Sequence, residues 1–312
     1  MRRIVSHLLA FLYRCITLLP LRVLYVISDL TYYPLYYIAG YRKKVVFRNL
    51  RNAFPSMTER EIHLTAKRFY HHFCDVFYET GWLMYASPSS ILRRISYSDR
   101  HFIDDPLKQG RSVIAAVGHY GNWEWLNSFA LTVPYPTIAI YKEQNDPVFD
   151  RLFFSIRSRF GSRPVPMKQT LRVIREYRDK NTPFVACFIA DQSPVRQELD
   201  YWTTFLNQDT PVFLGIEKIA RKYDFAVVYL EIMKVRRGNY RVEIHPVAGH
   251  AADTPPYEIT EKHVKRLEQT ILSRPEYWIW SHRRWKFTRK DMVRRKNNPS
   301  GTTAITNNLS PV

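Results

Sequence analysis

Cysteine is scarce in this 312-residue chain: Cys15, Cys74 and Cys187 stand far apart, without the close spacing of zinc ligands. Neither a disulfide framework nor a structural zinc site is suggested, and a reducing compartment suits the composition. Cys187 sits in "PFVACFIA", which reads as a buried strand where a free thiol acts as a small apolar residue. A covalent acyl-cysteine needs an exposed, electropositive thiol and is set aside. Acidic residues are few as well, 28 Asp+Glu against 47 Lys+Arg, for a formal net charge of +19. Such a balance asks for a polyanionic partner: nucleic acid, an anionic bilayer face or a phosphorylated substrate. No helix-turn-helix, zinc or sheet-aromatic signature accompanies it, and the basic residues are dispersed, so nucleic acid is the weakest of the three.

Long apolar runs are also missing. The first forty residues are rich in Leu, Ile, Val and Tyr, yet Arg14, Arg22 and Asp29 break them before any run reaches the ~18 to 20 residues of a plain spanning helix. No small-residue cleavage site follows, so a removable signal peptide is not expected. Basic flanks at Arg2, Arg3, Arg42, Lys43 and Lys44 and the tyrosines of "TYYPLYY" suit a segment docked on, or inserted into, an anionic bilayer. The expectation is a membrane anchor, spanning or interfacial, over residues 1–44; the alternative is a helical hairpin packed on the core.

What remains is enough for a sizeable core, since 46% of residues are hydrophobic and 15% aromatic. "PSMTEREIHLTAKRFYHHFCDVFYETGWLMY" opens with a capping-box signature at Ser56 and Thr58 and continues at helical spacing. His71 and His72 within it are adjacent, project differently, and read as core or surface histidines. From 111 to 250 apolar strands alternate with helices: "RSVIAAVG", "PTIAIYKE" and "TPFVACFIA" as strands, residues 147–160 and "KQTLRVIREYRDK" as helices. "TPVFLGIEKIARKY" reads as a helix begun by Thr210 and Pro211, and "AVVYLEIMKVRRGNYRVEIHPV" as a hairpin around Gly238. A last helix is expected over 256–272, and a polar, disordered tail over 290–312. The fold class is therefore α/β: a central, mostly parallel sheet flanked by helices, over residues 45–289, behind a membrane-associated helical segment.

"VIAAVGHYGNWEW" places His119 where an apolar strand meets a glycine-containing turn, and Glu124 follows five residues later. A bare His-x4-acid spacing is weak, and His263 and Glu268 match it in what reads as a solvated helix face. His119 differs in its setting, because ligands of open α/β sheets bind at the carboxyl ends of the strands. Gly118 and Gly121 spare side-chain bulk there. A turn can fold Glu124 back on the imidazole, leaving Nε2 free to take a proton while the carboxylate steadies the ring. No serine or cysteine neighbours the turn, so the nucleophile would belong to the substrate. The alternative is a structural histidine at a strand end.

"HYGNWE" resembles the His-x4-acid motif of the bacterial lipid A late acyltransferases, the lauroyl/myristoyl transferase family. "RKKVVFRNLRNAFPSMTEREI", "NDPVFDRLFFSIRSRFG", "ADQSP" and "RPEYWIWSHRRWK" resemble further segments of that family in the same order, over roughly residues 1–287. The resemblance implies an inner-membrane enzyme with its active site on the cytoplasmic face. It would transfer a fatty acyl chain from a thioester, on acyl carrier protein or coenzyme A, to a hydroxyl of a phosphorylated glycolipid. His119 would be general base and Glu124 its orienting acid; neither a cofactor nor a metal is implied. Asn122, Arg157, Arg159, Asp191, Gln192, His282, Arg283 and Arg284 become substrate-binding candidates. Alternatives stay open: Arg157 and Arg159 as a solvated helix face, Asp191 and Gln192 as strand-end caps, the closing arginines as surface charge. Another acceptor lipid within the family, or a basic binding protein without catalysis, are the rival functions.

Overall fold

A computed structural model of the chain describes residues 2–292, so most of the tail expected over 290–312 lies outside the described residues. Two helices open the chain, α1 (Arg2–Thr17) and α2 (Leu21–Tyr33), divided at Pro20, with a π turn over Pro34–Ile38. Leu21, Leu24, Ser28 and Tyr32 recur at helical spacing on α2 and are its buried face. α3 (Lys43–Ala53) and α4 (Glu59–Trp82) follow. The Thr58–Glu61 capping box forms at the start of α4: each side chain satisfies the other residue's backbone N–H. Helix α2 packs along α4. None of the helices among the described residues is long and apolar enough to cross a membrane, so the anchor expected over residues 1–44 has no spanning helix among them.

The remaining elements are α5 (Pro88–Leu92), β1 (Ile95–Ser98), α6 (His101–Lys108), β2 (Val113–Val117), a 3-10 helix over Trp123–Leu131 and β3 (Thr137–Tyr141). Then come α7 (Pro147–Ser158), β4 (Arg163–Pro166), α8 (Thr170–Asp179), β5 (Val185–Ile189), β6 (Tyr201–Phe205) and β7 (Gln208–Val212). Last are α9 (Gly215–Tyr223), β8 (Ala226–Arg236), β9 (Asn239–Ala248) and α10 (Glu258–Ser273). Seven strands make one sheet in the order β1-β9-β8-β2-β5-β3-β4. Only the β8–β9 hairpin pairs antiparallel within it. The mostly parallel sheet expected from the buried apolar runs is present.

Strand β2 lies at the centre and is buried throughout. Side chains alternate along a strand, so Val113, Ala115 and Val117 enter the layer under α6 and α7, while Ile114 and Ala116 enter the layer under α3, α4, α9 and α10. Helices covering both faces leave the carboxyl edge of the sheet as an open rim.

Two local expectations fail. Thr210 and Pro211 belong to strand β7, and α9 begins at Gly215. The reason is a tight hairpin: Leu206 and Asn207 both take left-handed backbone (φ 51° and 59°), which turns β6 into β7. His263 and Glu268 are buried rather than solvated. Glu268 accepts the backbone N–H of Leu206 at 2.6 Å and so ties α10 to that hairpin.

Candidate active site

The β2–β5 register brings the central pair together. Val117 faces Ile189, and the ladder runs one bond further, from Ala190 N to the carbonyl of Val117. Two residues past the ladder on each strand stand His119 and Asp191. His119 Nδ1 lies 2.6 Å from Asp191 Oδ1, and its backbone N–H donates to Oδ2 at 2.8 Å. Trp278 Nε1 donates to the same Oδ2 at 2.8 Å. A carboxylate only accepts, so the ring proton sits on Nδ1 and the lone pair on Nε2. Burial pushes the Asp191 carboxyl up, but the adjacent imidazole and these hydrogen bonds overcome it and hold the group down at about 2.

Backbone pairing fixes the loop that follows β2. Ile279 N donates to His119 O, Gly121 N donates to Tyr277 O, and Tyr120 bridges to Trp278. The closing segment, residues 274–286, is thereby stitched to the histidine turn. Asn49 on α3 anchors it from behind, donating to the carbonyls of Trp280 and His282. Gly121 has φ +57°, and a Cβ there would press on the Ile232 carbonyl at 3.2 Å, so the turn favours glycine.

Glu124 is not the partner of the ring nitrogen. It opens the 3-10 helix and is gripped side-on by Arg157 of α7, with Nη2 to Oε1 at 2.6 Å and Nε to Oε2 at 3.1 Å. Asn127 donates to Oε2 as well. Burial opposes the Glu124 charge, yet the Arg157 guanidinium brings the carboxyl below its ordinary value. Both groups are nearly enclosed, with side-chain exposures of 5% for Glu124 and 13% for Arg157. The proximity expected between Glu124 and the imidazole is thus taken by Asp191, 72 residues further along the chain. The segment "ADQSP" marks Asp191 as a site or capping residue, but its pairing with His119 arises from strand order.

His119, Glu124 and Arg157 line one cavity of about 240 Å³, with Gln192 and His282 also on its wall. Gln192 Nε2 stands 3.2 Å from His119 Nε2. Many of the other wall residues are apolar, among them Val117, Leu126, Phe129 and Ala139, with the hydroxyls of Thr137 and Ser162 also on the lining. The lining reaches from Tyr141, at the carboxyl end of β3, to Thr137 at its start. Four residue steps along a strand make the groove ~13 Å long. Lys142 and Lys286 stand on the cavity wall too, and Lys286 is lowered by burial, then by Lys142 and Arg284. Sequence reasoning passed over both lysines, since single basic residues in a chain this basic carry no signal.

Four candidates lie elsewhere. Asn122 is fully buried beneath the turn and donates to Glu79 Oε2 at 2.9 Å, so it braces the loop instead of meeting a substrate. Arg159 is exposed and donates to the carbonyls of Met84 and Ala86, outside the cavity. Arg283 is exposed and not on the cavity wall, whereas Arg284 is only 2% exposed and donates to the Pro211 carbonyl. Such burial withholds Arg284 from a phosphate in solvent. Cys187 does reach the cavity wall, and burial raises its thiol to about 12, far from a thiolate.

An imidazole with an oriented lone pair, a buried acid–arginine pair and an apolar groove can deprotonate a hydroxyl beside a hydrocarbon chain. Comparison with known proteins points the same way. The model of the family described as bacterial lipid A biosynthesis acyltransferase matches residues 1–287. The chain is similar to a lipid A biosynthesis acyltransferase of Haemophilus influenzae, 20% identical over 233 residues, covering 74% of this chain and 72% of that protein. It is also similar to a lipid A biosynthesis lauroyltransferase of Escherichia coli, 23% identical over 250 residues, covering 78% and 79%.

Proposed function

The chain belongs to the bacterial lipid A biosynthesis acyltransferase family and is an acyltransferase, and on that premise we propose that it acylates a hydroxyl of a lipid A precursor with His119 as general base. One observation carries the assignment: the lone-pair nitrogen of His119 stands on the wall of an apolar groove while Asp191 holds the other nitrogen at 2.6 Å. The donor is an acyl thioester, with acyl carrier protein as its carrier. Its hydrocarbon chain lies along β3, and its carbonyl waits beside the imidazole.

The step balances simply. Nε2 takes the proton of the acceptor hydroxyl as its oxygen bonds to the thioester carbonyl carbon. The imidazolium that forms is stabilised by Asp191, which neither gains nor loses a proton. Collapse of the tetrahedral species breaks the C–S bond, and the departing thiolate takes the proton back. Ester and thiol leave, and the enzyme returns unchanged. Gln192 and Arg157 are the cavity-lining donors available to the developing oxyanion. Glu124 fixes the Arg157 fork in place, and the pair acts as a unit.

The acceptor is phosphorylated, and Lys142 and Lys286 suit it: burial and then the neighbouring Lys142 and Arg284 charges lower Lys286, and a phosphate would relieve that repulsion. The closing segment would add His282, and Arg283 faces the same anionic surroundings from outside. Membrane association follows the same logic. On α1 and α2 the large apolar side chains Ile4, Leu8, Phe11, Val26 and Leu30 are exposed by 55–74%. Apolar surface of that extent on helices with basic neighbours fits docking in the interface of an anionic bilayer, here the cytoplasmic face of the inner membrane. Residues 1–44 would be the docking segment and 45–289 the catalytic unit. Purified protein given a labelled acyl thioester and a lipid A precursor should form acylated lipid, identified by mass. Transfer to water alone, with no lipid product, would refute the assignment.

A further inference from the structure

A second and much smaller cavity, of about 10 Å³, touches Asp191 but not His119. Phe205, Tyr229, Val264 and Leu267 enclose it with apolar atoms, and His263 of α10 and Arg284 of the closing segment bring nitrogen to it. Arg284 spends Nη2 on the Pro211 carbonyl at 2.7 Å, while its Nε and Nη1 are buried and have no protein partner among the described residues. His263 Nε2 is buried and unpartnered in the same way. No carboxylate forms a direct ion pair with Arg284 among the described residues, although a buried guanidinium in an apolar wall is costly without one. Asp191 is the acid whose field acts on it.

The other charged and titratable groups around Asp191 do not supply a fixed counter-charge. His263 and His282 are lowered to about 4 by burial and are neutral near pH 7. Tyr229 of β8 is held protonated, because burial raises it far above its ordinary value. Glu124 and Arg157 neutralise each other. Lys286 is at the mouth of the larger groove and exposed. A general base acts in its neutral form, so in that role His119 supplies no counter-charge either.

We propose that Arg284 is the buried counter-charge of Asp191, acting across this cavity through one bound water, and is thereby a positioning residue for the His119 base. A space of this size admits a single water, and such a water needs polar partners, which Arg284, His263 and Asp191 supply. The physical role follows from the sign of the charge. A carboxylate alone behind an imidazole pulls strongly on any proton the ring acquires. A fixed cation on the carboxylate's other side tempers that pull, so the ring can release the proton to the departing thiolate. The inference rests on the general-base reading of His119.

The test compares full-length R284M and R284K with the parent protein, following kcat/KM against pH with an acyl thioester and a lipid A precursor. R284M should move the acidic limb up by roughly one pH unit while the plateau rate above it survives within about tenfold. R284K, which keeps the charge, should leave the limb within a few tenths of the parent's. A uniform loss in R284M with the limb unmoved, or equal shifts in both variants, would overturn the proposal. If R284M does not fold, a crystallographic map of the parent protein decides: solvent density bonded to Arg284 and Asp191 supports it, and a dry cavity contradicts it. An H119Q control keeps the two readings apart. Activity surviving in H119Q removes the base itself, whereas an inactive H119Q beside an unmoved R284M limb removes only the role of Arg284.

Discussion

His119 and Asp191 are cross-strand neighbours two residues past the paired ends of β2 and β5, joined side chain to side chain at 2.6 Å and again through the His119 backbone at 2.8 Å. The double attachment locks both the tautomer and the ring plane. D191N should keep the fold, because asparagine still accepts the backbone N–H and the Trp278 indole, but it makes the wrong ring tautomer as good as the right one. Turnover should fall by about 10³- to 10⁴-fold with KM for the thioester little changed. A D191N enzyme within tenfold of the parent rate would assign Asp191 to strand-end capping alone.

The Glu124–Arg157 pair makes a different prediction. Removing one partner strands the other, so R157M should lose about 3–5 kcal/mol of stability. E124Q with R157M should recover part of that, and in activity the double variant should be no worse than the poorer single one. Thermal unfolding and initial rates on the four proteins close the cycle. Strictly additive losses would mean that the two residues work independently.

Acid sensitivity should begin unusually early. Burial lowers His72 to about 3 and His263 and His282 to about 4, whereas the unfolded chain protonates histidine near 6.5. The unfolded state therefore binds more protons below pH 6.5, and stability drops as pH falls from there toward 4. Asp191 adds to the loss only lower, between about 4 and 2. The His263 part is worth roughly 3 kcal/mol once titration is complete. Unfolding midpoints of H263Q should decline less steeply between pH 7 and 4.5 than those of the parent. Parallel slopes would show that His263 does not titrate with unfolding.

Much of this architecture can be read from the chain, and the failures share a cause. Apolar runs announce β2, β3 and β5, and the abrupt change at Gly118 announces the rim where His119 sits. What a linear reading lacks is strand order. Glu124 is near His119 in sequence and looks like its partner, yet β5 delivers Asp191 to the ring and α7 delivers Arg157 to the acid. Thr210 and Pro211 carry a good helix-start signal, and tertiary pairing overrides it through two left-handed residues, one of them a leucine. Arg284 reads as a surface phosphate ligand because the pattern "SHRRWK" does not reveal which of its arginines turns inward.

Docking of α1 and α2 on lipid is measurable directly. The parent protein should sediment with vesicles of anionic lipid, and L8D/F11D should lower that binding by tenfold or more without unfolding the core, since both side chains are more than half exposed. Raising salt should weaken the parent's binding only in part, because the apolar contribution is unscreened. Equal sedimentation of the two proteins would leave the exposed apolar face without this role.

The base is the centre of the account, and a single-turnover experiment reaches it most directly. Enzyme in excess over a labelled acyl thioester, with lipid A precursor present, should transfer the chain rapidly in the parent protein. H119Q, folded by circular dichroism and still binding the thioester, should show no transfer above the uncatalysed rate. Transfer by H119Q at a rate near the parent's would contradict the account, whatever else the groove binds.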